Sequence, residues 1–72
     1  MKYVVVIEKD ATGYGAYAPD LPGCIAAGET ENEVRELIRE AISFHLEGLI
    51  EDGEKIPEPA SESFFIEVST AA

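Results

Sequence analysis

Short stretches of apolar residues divide the first part of the chain into three predicted strands. Residues 2–8 are rich in β-branched side chains, which is typical of a largely buried strand. Residues 14–18 and 24–28 are shorter apolar runs, and residues 10–13 form a turn signal between the first two strands. Because the connections are short, we expect an antiparallel meander.

A helical pattern follows the third strand. Apolar residues return at the spacing of one helix face, which predicts a helix from residue 31 to about residue 52. Thr30 is the expected N-cap, and Glu33 stands where it completes a capping box. Gly53 is expected to end the helix as the C′ residue. The apolar stripe consists of Val34, Leu37, Ile38, Ala41, Ile42 and Leu49.

Residues 64–68 alternate like a fourth strand, with three apolar side chains on one side. The order β-β-β-α-β predicts an α+β fold, a four-stranded mixed sheet with one helix on one face. A right-handed crossover would lay the fourth strand parallel to the first, at the other side of the sheet. We expect a single domain over residues 1–70 and a tail at residues 71–72.

Acidic residues dominate the charge, since fifteen Asp and Glu stand against five Lys and Arg and the formal net charge is −10. Proteins that bind nucleic acid neutralise phosphates with Lys and Arg, so we expect no direct binding to DNA or RNA, and none to an anionic membrane. One interpretation of the acidity is solubility, and the other is a surface complementary to a basic partner. The predicted helix carries seven acids and two bases, and the resulting charge of −5 is half of the net charge of the chain.

Composition also limits the compartment and the cofactors. The single cysteine excludes an internal disulfide framework and a cysteine-based zinc site. The apolar run at residues 3–7 is too short for a signal-peptide core or a membrane span. We therefore expect a cytoplasmic protein without a cofactor or a resident metal ion.

Two catalytic arrangements can be drawn from the residue types. Ribonuclease-H chemistry needs converging carboxylates that hold two Mg²⁺ ions, but no basic or aromatic platform for a nucleic acid accompanies them. A thiol–imidazole pair of Cys24 and His45 is the other, yet Cys24 lies in an apolar strand, where thiols are typically inert. We therefore expect no enzyme activity. The candidate carboxylates are Glu8, Asp10, Asp20, Glu40 and Glu67.

Three further apolar residues lie at the margin of the helical stripe or outside it, namely Phe44, Leu46 and Ile50. We expect them to form a subunit contact in a dimer or a higher even-numbered assembly. A single helix leaves one face of the sheet bare. The core of a 72-residue chain is small, so the fold is only marginally stable without a second subunit. His45 falls inside the stripe, which is typical of a histidine at the edge of the core and, less often, of a ligand or switch.

Residues 19–24 predict a stiff bend between the second and third strands. Pro19 and Pro22 fix φ at about −65°, and Gly23 is free to adopt φ > 0. Asp20 is placed to accept a hydrogen bond from a nearby backbone N–H. A structural corner is the first interpretation of this bend, and a binding role is the second.

Five short motifs appear in a fixed order between about residues 2 and 68. They are DLPGC at 20–24, G-x-T-x-x-E at 28–33, EAI at 40–42, LEGL at 46–49 and DGE-x-IP-x-P at 52–59. Each motif is weak by itself, but their order resembles the HicB-like antitoxin family over nearly the whole chain. The resemblance implies a partial ribonuclease-H-like fold.

The resemblance also implies a function. HicB-like proteins bind and neutralise small basic HicA toxins, which cleave RNA, and the acidic surface suits such a partner. The residues expected to contact a toxin are Asp20, Glu36, Glu40 and Glu47. The alternative is an orphan oligomeric module that binds a small ligand or regulates another protein. Many members continue into a C-terminal DNA-binding domain, but no helix-turn-helix or ribbon-helix-helix pattern follows residue 68, so DNA binding is not expected.

Overall fold

Three antiparallel strands and one helix form the molecule, as described for residues 1–71 of a computed structural model. The elements are β1 at Val6–Lys9, β2 at Tyr14–Tyr17, β3 at Ile25–Gly28 and α1 at Glu31–Glu51. The sheet order is β1-β2-β3, and both pairs are antiparallel. The predicted α+β class, meander and helix are therefore confirmed. Of the predicted tail, residue 72 lies outside the described residues.

The first strand is shorter than predicted. β1 begins at Val6, whereas the β-branched run predicts a start at residue 2. Val6 pairs with Tyr17, the last residue of β2, and the chain enters the bend at Ala18. Residues 2–5 therefore have no β2 residue opposite them. Propensity alone does not make a strand where the neighbouring backbone is missing.

The turn between β1 and β2 is built around Asp10. Its Oδ1 accepts hydrogen bonds from the N–H and hydroxyl groups of Thr12 and from the N–H of Gly13, at 2.8, 2.9 and 3.0 Å. These bonds hold the pKa of the Asp10 carboxyl below its usual value, and the Thr12 N–H is the largest cause. A Cβ at Gly13 would lie 2.5 Å from the Gly28 carbonyl oxygen, so this position has no room for a side chain.

Two successive turns make the bend between β2 and β3. The N–H of Leu21 donates to the carbonyl of Ala18, and the N–H of Cys24 donates to that of Leu21, both at 3.0 Å. Gly23 has a φ of +83°, as a Pro-Gly pair needs at the third position of a type II turn. The bend places Leu21 in the core, where it is 1% exposed.

Both ends of α1 carry the predicted caps. Thr30 is the N-cap, and its Oγ1 accepts a hydrogen bond from the N–H of Glu33 at 3.1 Å. The Glu33 carboxylate accepts from the N–H of Glu29 at 2.9 Å, one residue before the position that a capping box predicts. Gly53, with a φ of +71°, ends the helix, and Glu54 donates to a carbonyl of the last turn. Within residues 1–71, no helix has the length and apolar character that a membrane span requires.

The core lies between α1 and the strands β2 and β3. α1 packs on these two strands and leaves β1 largely uncovered. Leu37 belongs to the predicted apolar stripe but is 38% exposed, because it lies at the edge of that stripe. The buried apolar residues are Ala16, Ala18, Leu21, Cys24, Val34 and Ile38.

The predicted fourth strand does not join the sheet. Residues 64–68 follow the helix without pairing to any described strand. The exposed fractions are 80% for Phe64, 106% for Phe65, 68% for Ile66 and 72% for Val68. A strand needs the backbone groups of a neighbour, and alternation in the sequence predicts the strand but not its partner. The ribonuclease-H-like assignment, which includes that strand, stays a prediction.

Candidate protein-binding surface

One side of α1 carries two pairs of exposed carboxylates, each pair one helix turn apart and the two pairs about 10 Å from each other along the axis. The four residues, which we call the acidic stripe, are Glu36, Glu40, Glu47 and Glu51. At about 3.6 residues per turn, all four fall within about 60° of the helix circumference. The ion pair of Arg35 with Glu31, at 3.0 Å, lies outside the stripe, and no stripe carboxylate pairs with a base in the part of the chain that the structure describes.

The acidic stripe contains three of the four acids that the sequence predicts as partner contacts. Sequence reasoning missed the fourth member, Glu51, although the same helical spacing points to it. Neighbouring carboxylates one helix turn apart lie about 5–6 Å from each other at Cβ. Like charges at that spacing without bases between them produce a concentrated negative field, which favours a basic surface.

Two exposed apolar side chains flank the acidic stripe. Phe44 is 77% exposed and Ile50 is 61% exposed, and the helical spacing puts one on each side of the stripe. Leu46, expected with them as a surface contact, is instead half-buried against the core cluster. Exposed apolar side chains of this size are typical of a protein contact, and here the carboxylates lie between them.

Asp20 lies apart from the acidic stripe, in the bend between β2 and β3, and it binds the chain that follows α1. Its Oδ2 accepts hydrogen bonds from the N–H groups of Ala60 and Ser61 at 2.9 and 3.0 Å, and its Oδ1 accepts from the Ser61 hydroxyl at 2.7 Å. The sequence predicts a local donor, whereas the Ala60 N–H lies 40 residues further on. These bonds, with that of Ala60 the largest cause, lower the pKa of the Asp20 carboxyl.

Among the residues weighed as catalytic, Cys24, Asp10 and Asp20 have the surroundings of structural residues, whereas Glu8, Glu40 and Glu67 are exposed. Cys24 is buried, and burial raises the pKa of its thiol, which disfavours the reactive thiolate. His45 is half-buried and lines a shallow cavity together with Phe44. Asp10 and Asp20, two of the candidate carboxylates, accept backbone hydrogen bonds. Among residues 1–71, no group of three His, Cys, Asp or Glu side chains comes together as a metal site.

A groove of about 660 Å³ opens between β1 and α1, because α1 packs over the other two strands. We call it the β1–α1 groove. Its apolar floor includes Tyr3, Val5, Ile7, Ile38 and Ile42, and its basic residues are Lys2, Arg35 and Arg39. Three of the five bases of the chain therefore gather here. Sequence reasoning missed this groove, because Lys2 meets the two arginines only through the fold.

Known proteins resemble this chain over most of its length. Residues 3–68 match the model of a family described as HicB_like antitoxin of bacterial toxin-antitoxin system. A 14.9 kDa protein from the rep-hol intergenic region of Haemophilus phage HP1 is 49% identical over 79% of the chain and 43% of its own length. A UPF0150 protein of Thermoplasma acidophilum is 42% identical over 92% of the chain and 97% of its own length. Antitoxin HicB 2 of Photorhabdus laumondii is 32% identical over 94% of the chain and 50% of its own length.

The chain thus spans about half the length of the phage protein and of the Photorhabdus antitoxin. A solved structure, the HicA3 and HicB3 toxin-antitoxin complex, contains a chain that matches this fold with a TM-score of 0.70 and 33% identity. The match covers 83% of this chain and 70% of that chain. The fold described above therefore recurs in a toxin–antitoxin complex.

Proposed function

Because the chain belongs to the family of HicB-like antitoxins, we propose that it binds and neutralises a small, basic, RNA-cleaving toxin of the HicA type. As a member of an antitoxin family, it is a binding protein and not an enzyme. The observation that carries the proposal is the acidic stripe, two pairs of exposed carboxylates without basic partners in the described chain. We place both proteins in the cytoplasm, where such a toxin meets RNA.

The acidic stripe presents to a toxin the same charge that RNA presents. A protein that binds RNA contacts the phosphates with Lys and Arg. Carboxylates about 5–6 Å apart on a helix can form ion pairs with the same Lys and Arg side chains. The net charge of −10 attracts a basic protein from a distance and raises the rate of association. We therefore propose that the stripe covers the basic surface with which the toxin holds its substrate.

Phe44 and Ile50 are proposed as the apolar anchors of this contact. Exposed charge mainly sets the association rate, whereas aromatic and aliphatic anchors that become buried set how long the complex lasts. Both side chains are exposed and flank the acidic stripe, so one toxin surface can reach all of them. The expectation from the sequence, that they join two copies of this chain, is the other outcome of the same experiments.

Asp20 has an indirect part in the proposal. Both of its oxygens already accept hydrogen bonds from Ala60 and Ser61, so a toxin would have to displace these bonds to reach the carboxylate. Breaking hydrogen bonds to a charged group has a large cost. We therefore propose that Asp20 fixes the chain after α1 and that the direct contacts come from the acidic stripe.

Stopped-flow mixing with the HicA-type toxin encoded in the same genome tests the proposal. The association rate of the parent protein should fall steeply as salt rises, because screening weakens electrostatic steering. Changing Glu36, Glu40 and Glu47 to lysine should slow association on the order of tenfold, with unchanged circular dichroism. Failure of the parent protein to bind any such toxin would favour the orphan module without a toxin partner.

A matched variant separates the position of the charge from its amount. Glu8, Glu54 and Glu58 are exposed and lie outside α1. Changing these three residues to lysine alters the net charge as much as the stripe variant does. Because steering depends on where the charge lies, the control variant should associate faster than the stripe variant. Equal rates for the two variants would contradict the assignment of the stripe as the contact.

A further inference from the structure

The β1–α1 groove has the shape of a site for one more strand. β1 pairs only with β2 in the described chain, so the N–H and C=O groups along its outer edge have no partner in the sheet. Beneath that edge lies the apolar floor, to which Val5, Ile7 and Ile42 contribute. A strand added to the edge of β1 would point every second side chain onto this floor.

Residues 62–68 have the pattern and the exposure of a strand without a partner. Phe64, Ile66 and Val68 alternate along this segment and are 80%, 68% and 72% exposed. No described strand pairs with them. A contiguous run of exposed apolar side chains marks a contact surface, since water does not stabilise it.

The start of this segment is held in place. Asp20 binds Ala60 and Ser61, and the Tyr3 hydroxyl donates a hydrogen bond to the Pro57 carbonyl. Residues 1–71 extend over 55 × 27 × 16 Å with a radius of gyration of 14.8 Å, whereas a compact chain of this length has roughly 11 Å. The segment therefore begins at a fixed point, where residues 61–64 line a pocket together with residues 2–4 of the same chain, and its later residues extend from the molecule.

We infer that residues 62–68 of one copy fill the β1–α1 groove of a second copy, whose own segment fills the groove of the first. In this arrangement the incoming strand pairs with the outer edge of β1 and lays Phe64, Ile66 and Val68 on the apolar floor. Each chain carries both the segment and the groove, so the exchange closes as a dimer with two-fold symmetry. The inference does not rest on the proposed toxin contact, which lies on another side of α1.

Charge favours a second copy over a basic partner in this groove. Lys2, Arg35 and Arg39 line it, although the chain as a whole carries a net charge of −10. Residues 62–68 contain two acids, Glu62 and Glu67, and no base. A basic toxin would meet like charges in the groove, whereas the segment brings opposite ones.

The exchanged contact is large enough for a stable dimer. One phenylalanine buries about 150–250 Å² when it is enclosed, and Ile66 and Val68 add to Phe64 in each copy. Two segments and the two grooves that receive them therefore bury more than roughly 1,000 Å², which is the size expected of a specific interface.

Sedimentation equilibrium of the purified protein alone tests the exchange. The parent should have the mass of a dimer at micromolar concentration. Two variants place like charges in the exchanged contacts of their own dimers, namely Glu62→Lys in the segment, on the same strand face as Phe64, and Lys2→Glu with Arg39→Glu in the groove. Each variant should dissociate with a constant raised on the order of tenfold.

Mixing the two variants separates the exchange from general damage to the fold. In a mixed dimer, each segment meets a groove of opposite charge, so an equimolar mixture should return to the dimer mass. A parent that is monomeric, or a mixture no more associated than the variants alone, would overturn the inference. A dimer that both variants leave intact would also overturn it and would move the contact to another surface, such as Phe44 and Ile50.

Discussion

Asp20 holds Ser61 with both of its oxygens, since Oδ2 accepts from the backbone N–H at 3.0 Å and Oδ1 accepts from the hydroxyl at 2.7 Å. The contact joins the bend between β2 and β3 to the chain after α1, across a separation of 41 residues. It fixes the point at which residues 62–68 begin. The bend therefore positions the chain after α1 as well as the sheet.

Replacing Asp20 by alanine should release this part of the chain. The hydrogen-exchange protection of the Ala60 and Ser61 amides should fall on the order of tenfold or more, because a charged acceptor is lost. The amides of β2 and β3 should keep their protection. Glu58→Ala, which removes an exposed carboxylate two residues before Ala60, is the control. Full protection of Ser61 in Asp20→Ala would contradict the role given to this carboxylate.

The same contact should respond to acid. The pKa of Asp20 is lowered from 3.8, so the charged form is favoured in the folded chain. Its contribution is complete above the unfolded value and is lost as the pH falls through the lowered folded value. The NMR shift of the Ser61 amide should therefore titrate below pH 3.8, and Asp20→Asn should abolish that titration. A transition of the Ser61 amide above the ordinary carboxyl range would count against the contact.

Two glycine substitutions should have opposite effects on stability. Gly23 has a φ of +83° and no atoms close to an added Cβ, so Gly23→Ala should destabilise through the backbone alone, by about 1–2 kcal/mol. Gly48 lies within α1 and also has open space for a Cβ. Gly48→Ala should stabilise by about 0.5–1 kcal/mol. Urea unfolding at one protein concentration measures both, and equal shifts of the same sign would contradict the turn assignment.

Phe44 and Ile50 should control the lifetime of the toxin complex. Changing both to serine should raise the dissociation rate on the order of tenfold, with little change in the association rate. Tyr17→Ser is the matched control, because Tyr17 is 40% exposed, lies on β2 and does not line the cavity beside Phe44. Surface plasmon resonance gives both rates. If the serine variant loses the dimer mass but binds the toxin as the parent does, Phe44 and Ile50 form the subunit contact that the sequence predicts.

The elements with local causes could be predicted from the sequence. The spacing of apolar residues and the caps at Thr30 and Gly53 give α1 almost to the residue, and the same spacing places Glu36, Glu40 and Glu47 on one side of it. The turn at Asp10 and the positive φ at Gly23 follow from residue types whose preferences act within four positions.

Features that join distant parts of the chain could not be predicted in the same way. The donors to Asp20 lie 40 and 41 residues away, so no local pattern identifies them. Alternation at residues 64–68 predicts a strand, but a strand's partner depends on which edge is free after folding. The basic groove exists because α1 packs over β2 and β3 and leaves β1 uncovered. That placement is a property of the packed fold and not of any single segment.

Suppression of RNA cleavage tests most directly whether this chain neutralises a toxin. The HicA-type toxin from the same genome is incubated with an RNA substrate and with increasing amounts of the parent protein. Cleavage should stop near equimolar antitoxin, and the variant with lysine at Glu36, Glu40 and Glu47 should need a higher concentration. Cleavage that continues at its full rate in excess parent protein would contradict the account.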